Sequence, residues 1–313
     1  VIAASRKGRS FAVTFSGCKG DHKPGKRAFP ERPLGGGGGM KKELYDQKDR
    51  LYADALRFWY ASLYINFGTL VFLLVTIFIS WPSLAWLFGF VTLLSPIALL
   101  GCRVIFESKF READRCKRLL HYVDSLGIEI PEAEAACLLG YPSRKPVKIT
   151  YDGPFYVSLS EQGIRRLVDN TRESAFFTFK LAGHTRNYSL AVIGLMVITV
   201  FVIFHTILST PEDTKNIVNY AKSAAGVMSF LFTGDIIILC LKWWGMQNEA
   251  EKSYNTLNDL LKRANITVDE AMRAVEEYHI AVIQGAPIPV KVYLRHRDSL
   301  NAAYQKAHGI KGE

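Results

Sequence analysis

Between Arg57 and Arg103 the sequence contains no Asp, Glu, Lys or Arg, and the same holds from Asn187 to Pro211. A soluble helix rarely runs beyond about a dozen residues without a charge, whereas crossing a bilayer takes about 20 predominantly apolar residues. The missing charge therefore argues against a water-soluble setting for these stretches. Cysteine is sparse as well: Cys18, Cys102, Cys116, Cys137 and Cys240 are odd in number, widely spread, and nowhere spaced as zinc ligands. That excludes a disulfide framework and points to reduced thiols in a cytosol-facing polar region. There is no HExxH, no nucleophile elbow, and no close carboxylate pair beside a base. No catalytic residue, metal ligand or cofactor is therefore expected, and the chain reads as a non-enzyme.

What is present fills the charge-free blocks with helix formers. Residues 58–102 have room for two spans, and Ser80-Trp81-Pro82-Ser83 breaks the block near its middle, where proline removes a backbone donor. The pattern predicts one helix near Tyr60–Ser80, a tight turn, and a second near Leu84–Cys102. Residues 188–244 predict a second hairpin: Tyr188–Leu208 is almost wholly apolar, and Ser223–Trp244 is apolar apart from Asp235 and the closing Lys242. The expected fold is an all-α membrane protein. Four transmembrane helices form two hairpins, with a mainly helical cytoplasmic insert over 103–187 and C-terminal cytoplasmic helices over 245–313.

Charge sets the orientation. The chain carries a net charge of +10, but residues 1–39 hold eight Lys/Arg against two acids, so most of the excess lies in that segment. A nucleic-acid polymer is accordingly not expected as a partner. The insert from Arg103 to Arg186 holds 14 Lys/Arg, whereas the Ser80–Ser83 turn has none. Positive charge prefers the cytoplasmic side, so the insert and both termini are expected on the cytoplasmic side of the membrane. Trp59, Tyr60 and Tyr64 then fall at the inner headgroups, with Trp81 and Trp86 at the outer ones.

Residues 1–39 are basic, proline-bearing and closed by Gly35–Gly39. They are expected to be a disordered tail before a native start at Met40. Gly20–Arg27 nearly spells a P-loop, but Arg27 stands where a Ser or Thr would hold magnesium, and prolines follow in place of a helix. Residues 40–57 predict a helix running unbroken into the first span. With no cleavable signal at the start, that span is expected to act as its own insertion signal. Within the insert, Val104–Leu126 reads as an extension of the second span, and Pro131 opens a short helix with Glu132 and Glu134 in its first turn. Val147–Tyr151 suggests a short strand, and a helix from about Glu161 leads into the third span. Beyond the fourth span, Thr267-Val-Asp-Glu270 is a capping box, and Gly285-Ala-Pro287-Ile-Pro289 precedes a last basic helix, Val290–His308.

Asp235 is the sharpest single feature. An acid near a span centre costs about 2.5–3.5 kcal/mol on the insertion scale, so it should face other helices or water. Two readings stand: a pore-lining or gating group, with Asn66 the other polar position in the spans, or a neutral acid hydrogen-bonded within the bundle to Asn66 or Thr199. In the insert, Lys148, Tyr151, Tyr156, Arg165, Arg166 and Arg172 mix cations with aromatics. Such a mixture could hold a phosphate-bearing ligand by charge and stacking, and it equally suits a surface facing anionic lipid.

Three stretches together resemble one family, the SMODS-associating four-transmembrane effectors of bacterial cyclic-oligonucleotide antiphage (CBASS) systems. They are Leu51-Tyr-Ala-Asp54-Ala-Leu; Asn170-Thr-Arg-Glu173-Ser174-Ala175-Phe176-Phe177 followed by Lys180-Leu-Ala; and Glu277-Tyr278-His279 with Gln284-Gly-Ala-Pro287-Ile-Pro289, Tyr293 and Arg297. The two-plus-two layout is similar too, over about Met40 to Ala307, although Lys291-Val292 stands where the family carries an aromatic pair. The resemblance implies a pore-forming death effector. A partner nucleotidyltransferase would make a cyclic oligonucleotide, which the effector binds as its activating ligand before assembling as a homo-oligomer and opening the membrane, causing abortive infection. A small channel or transporter, or a non-conducting membrane scaffold, stays open beside it.

Overall fold

The computed structural model describes residues 38–78, 85–140, 158, 160–209, 221, 224, 226–228, 230 and 236–308. Within them the chain is all helical, with no strand. The longer elements are α1 (Gly38–Phe78), α2 (Ala85–Leu126), α3 (Glu132–Leu139), α4 (Ile164–Ser209), α5 (Ile236–Leu261), α6 (Val268–Gln284) and α7 (Val290–His308). The suggested strand at Val147–Tyr151 lies outside the described residues.

The four long helices show why the sequence reads in halves. α4 begins with Leu167, Val168 and Ala175 fully buried and continues without a break into Leu195 and Phe201, which are 64% and 70% exposed. α2 runs the other way, from exposed Leu93 and Ile97 to buried Ala113, Cys116 and Leu120. Two helices, α2 over Gly89–Leu126 and α4 over Ile164–Thr206, are long and apolar enough to cross a membrane, and their apolar stretches are almost entirely unburied. The magnitudes leave little choice of solvent. Phe90, Leu93, Leu94, Ile97 and Leu100 on α2, and Leu190, Leu195, Ile198, Phe201 and Val202 on α4, are all exposed. At about 1.5–3 kcal/mol for a fully exposed side chain, and with these 46% to 70% exposed, holding them in water would forgo about 9–18 kcal/mol, as much as a domain's whole stability of about 5–15 kcal/mol.

At the other end the same helices build a close-packed polar module. α1 packs along α2, and α4 along α5. The short α3 closes over the first pair, with Leu138 against Leu44, Leu51, Ala113, Cys116 and Leu120. Pro131 starts α3, and Glu134 in its first turn receives Arg115 Nη2 at 3.3 Å. α6 lies across α4 and α5 and reaches α2: Val275 and Tyr278 meet Leu167, Val168 and Leu257, with Tyr122 at the margin. The capping box forms as expected. Thr267 Oγ1 accepts from the Glu270 amide while the Glu270 carboxylate accepts from the Thr267 amide. α7 returns onto α4, where Phe176 and Phe179 pack with Leu300 and Tyr304.

Two turns fix how the module closes. Gly127 ends α2 in the left-handed region at φ 68°, its amide bonding Val123 O at 3.1 Å, and a Cβ there would strike the Gln162 side chain. Gly163, at φ 150°, then donates to Ser125 O at 2.8 Å. The end of α2 is thereby joined to the start of α4 by backbone alone.

Candidate functional site

Where the polar module gives way to the apolar stretches, a cavity of about 280 Å³ opens between α1, α2, α5 and the Gly285–Pro287 segment. Helical spacing builds it. Trp59, Ser62, Leu63 and Asn66 share one face of α1, Arg103, Phe106 and Glu107 one face of α2, and Ile238, Leu239 and Lys242 one face of α5. Ser62 donates back to Trp59 O at 2.7 Å, and Asn66 is only 9% exposed. Trp59 meets Trp243 edge to face at 6.4 Å, and Trp243 Nε1 donates to Pro287 O at 3.3 Å. Gly285 fits because a Cβ there would run into the Met246 side chain. Arg103, Lys242 and Glu107 give it two cations and one carboxylate among apolar side chains. Such a cavity can hold an anion with an apolar neighbour.

Deeper in the module lies a second polar cluster, and sequence reasoning missed most of it. Thr171 Oγ1 donates to Leu167 O at 2.7 Å, so the 2.9 Å contact with His121 Nε2 makes that nitrogen the donor. His279 meets His121 edge to face at 5.9 Å, and its Nε2 is buried without a hydrogen-bond partner. Burial, then Lys117, pulls the His121 imidazole down to about 3. Burial, then His121 itself, pulls His279 down to about 2. Both rings are therefore neutral at ordinary pH. Around them Asn170 Nδ2 donates to Ser125 Oγ at 2.9 Å, Tyr122 donates to Glu276 at 2.6 Å, and Thr178 and Tyr278 hydroxyls lie 3.0 Å apart. One turn back on α2, burial raises the Asp114 carboxyl although Arg118 stands 3.0 Å away. The cluster ties α2, α4 and α6 together. Its signal was present in the chain: Asp114, Arg118, His121 and Ser125 fall at i, i+4, i+7 and i+11, one polar stripe on an otherwise packed helix.

The three described ligand candidates each bond groups within the module. Arg165 donates to Leu261 O at 2.9 Å, closing the last turn of α5. Arg166 reaches Asp124 at 3.3 Å, beside Lys41 at 2.8 Å. Burial alone would raise the Asp124 carboxyl, but the two cations outweigh it and hold it below the usual range. Arg172 pairs with Asp169 at 2.6 Å, meets Asn258 at 3.4 Å and lies over the Tyr304 ring at 5.9 Å. Each spans two elements of the module. Lys148, Tyr151, Tyr156 and Asp235 lie outside the described residues, while Asn66 lines the cavity.

Two of the three stretches that carry the family resemblance contribute residues here. Asn170 and Thr171 from the second, and Tyr278 and His279 from the third, supply the buried polar cluster; Pro287 from the third lines the cavity. No family model, curated protein or solved structure matches the chain.

Proposed function

We propose that the chain is a four-span effector of the bacterial inner membrane, arranged as two hairpins with both termini and the insert in the cytoplasm. A cyclic oligonucleotide from a partner nucleotidyltransferase would bind its cytoplasmic module and shift an oligomer from a closed to a membrane-opening state. The observation that carries this reading is continuity. α1, α2, α4 and α5 belong to the close-packed module at one end and expose apolar side chains at the other, with no flexible joint between. A ligand that binds one packing of the module better than another shifts the whole bundle by its differential affinity. Moving such an equilibrium from 1:99 to 99:1 takes about 5.5 kcal/mol, within reach of a charged ligand met by several cations.

The test is direct. Membranes from cells expressing the full chain are washed with carbonate, and membrane potential is followed with and without the co-expressed nucleotidyltransferase. Retention in the pellet and loss of potential only with the enzyme are expected. Potential that stays intact at saturating ligand sinks the effector reading, and release by carbonate sinks the membrane placement.

A further inference from the structure

The cavity at the base of the apolar stretches has the chemistry of a particular occupant. We propose that it binds the phosphodiester headgroup of an anionic phospholipid from the inner leaflet, an inference that rests on the membrane placement above.

Three observations carry it. The first is charge: Arg103 and Lys242 line the cavity with Glu107, two cations to one carboxylate, a setting that suits an anion. Asn66 adds an amide of the kind that donates to phosphate oxygens, and Ser62, its proton given to Trp59 O, adds an oxygen that can accept from a glycerol hydroxyl. The second is the wall. Ile238 and Leu239 line the cavity, and Ile238 with Leu241 is exposed on α5, so an apolar track leads from the headgroup position along the helix where an acyl chain would lie. The third is depth. Arg186 stands over the exposed Trp244 ring at 5.9 Å, two residues beyond Lys242. A cation on an aromatic at the end of an apolar helix marks the headgroup level, and basic pockets between spans on the cytoplasmic side are where anionic headgroups settle. Size agrees. About 280 Å³ is just below the roughly 300 to 1,000 Å³ of ligand cavities; it suits one headgroup and is small for a cyclic oligonucleotide.

A lipid held there would touch α1 and α2 of one hairpin and α5 of the other, beside the Gly285–Pro287 segment that positions α7. It would act as a shared ligand of the two hairpins, separate from the triggering site on the module.

The experiment uses the full chain, purified in mild detergent and titrated with phosphatidylglycerol, phosphatidylcholine or inorganic phosphate, with binding read by native mass spectrometry and by the shift in unfolding temperature. Phosphatidylglycerol is expected to bind and stabilise, and the other two to do neither. The double substitution Arg103→Gln with Lys242→Gln should weaken phosphatidylglycerol binding by about 30-fold, and Glu107→Gln should strengthen it by about fivefold. Should the double variant fold poorly, Glu107→Gln still decides by the sign of its effect. Equal binding of phosphatidylcholine, binding unchanged in both variants, or a phosphate shift equal to the lipid's would each overturn the assignment. Failure of this titration with a carbonate-resistant chain removes the lipid site alone; extraction by carbonate removes the membrane placement itself.

Discussion

The two halves of α4 are one helix with two kinds of surface, one packed and one open and apolar enough to cross a membrane. Through its first turns Leu167, Val168 and Ala175 are fully buried, and Thr171 and Asn170 are buried with hydrogen-bond partners on α2. In its last turns the side chains are larger, almost uniformly apolar and open to the surroundings, while Thr199 and Thr206 bond only to their own helix at 2.9 Å. The first half selects residues by shape and partner, because each must fit a packed neighbour. The second selects them by polarity alone, because lipid tails are as apolar as leucine and give helices little reason to interlock. Single substitutions should therefore behave very differently in the two halves.

The largest expected effect is in the module. Tyr278→Ala removes a side chain that is 1% exposed and bonded to Thr178, and should cost about 3–5 kcal/mol. Phe201→Ala, larger in exposed area lost, should stay within about 0.5 kcal/mol. Thermal unfolding of both variants in the same detergent measures the contrast, and equal losses would break it.

Next comes acid sensitivity, which only the module should show. His121 and His279 are held near about 3 and about 2, below the ordinary 6.5. The unfolded chain therefore takes up their protons first as pH falls. Their contribution is intact above about 6.5 and is lost on acidification from there toward about 3, at roughly 1.4 kcal/mol per pH unit for each ring. Unfolding temperatures between about pH 7.5 and about pH 5 should fall steeply for the native chain and about half as steeply for His279→Phe. Superimposable slopes would remove the pair as the cause.

The smallest effect belongs at the module's edge. Thr267→Ala deletes the side-chain half of the capping box at the start of α6 and should cost about 1 kcal/mol. Loss of amide protection confined to the first turn of α6, read by hydrogen exchange, would place that cost where the cap is.

The same contrast governs what the chain discloses as a sequence. Signals that act locally were legible. Pro131 with Glu132 and Glu134, the Thr267 capping box, and Gly285-Ala-Pro287-Ile-Pro289 mark boundaries that the structure reproduces at Glu132, Val268 and Val290. The continuity of α1 and α2 across the charge-free stretches was legible as well, since nothing within them breaks a helix hard enough to win; even Pro96 sits inside α2. What could not be read was pairing across the fold. His121 and Thr171 are 50 residues apart, and Tyr122 and Glu276 are 154 apart, so their partnership exists only after packing. The arginines show the converse. Arg165, Arg166 and Arg172 read as one basic patch because they are neighbours in sequence, yet Arg165 and Arg172 bond Leu261 and Asn258 of α5 while Arg166 turns to Asp124 of α2.

One dimension of α4 carries a mechanical consequence. Its 46 residues form a rod about 69 Å long, more than twice the roughly 30 Å thickness of a hydrocarbon layer. Roughly 39 Å of stiff lever would then stand clear of the lipid, and a pivot of about ten degrees at the headgroups would sweep its tip by about 7 Å. Were the apolar end held in lipid, repacking by a single side-chain width at the far end would be enough to tilt it, with gearing set by helix length.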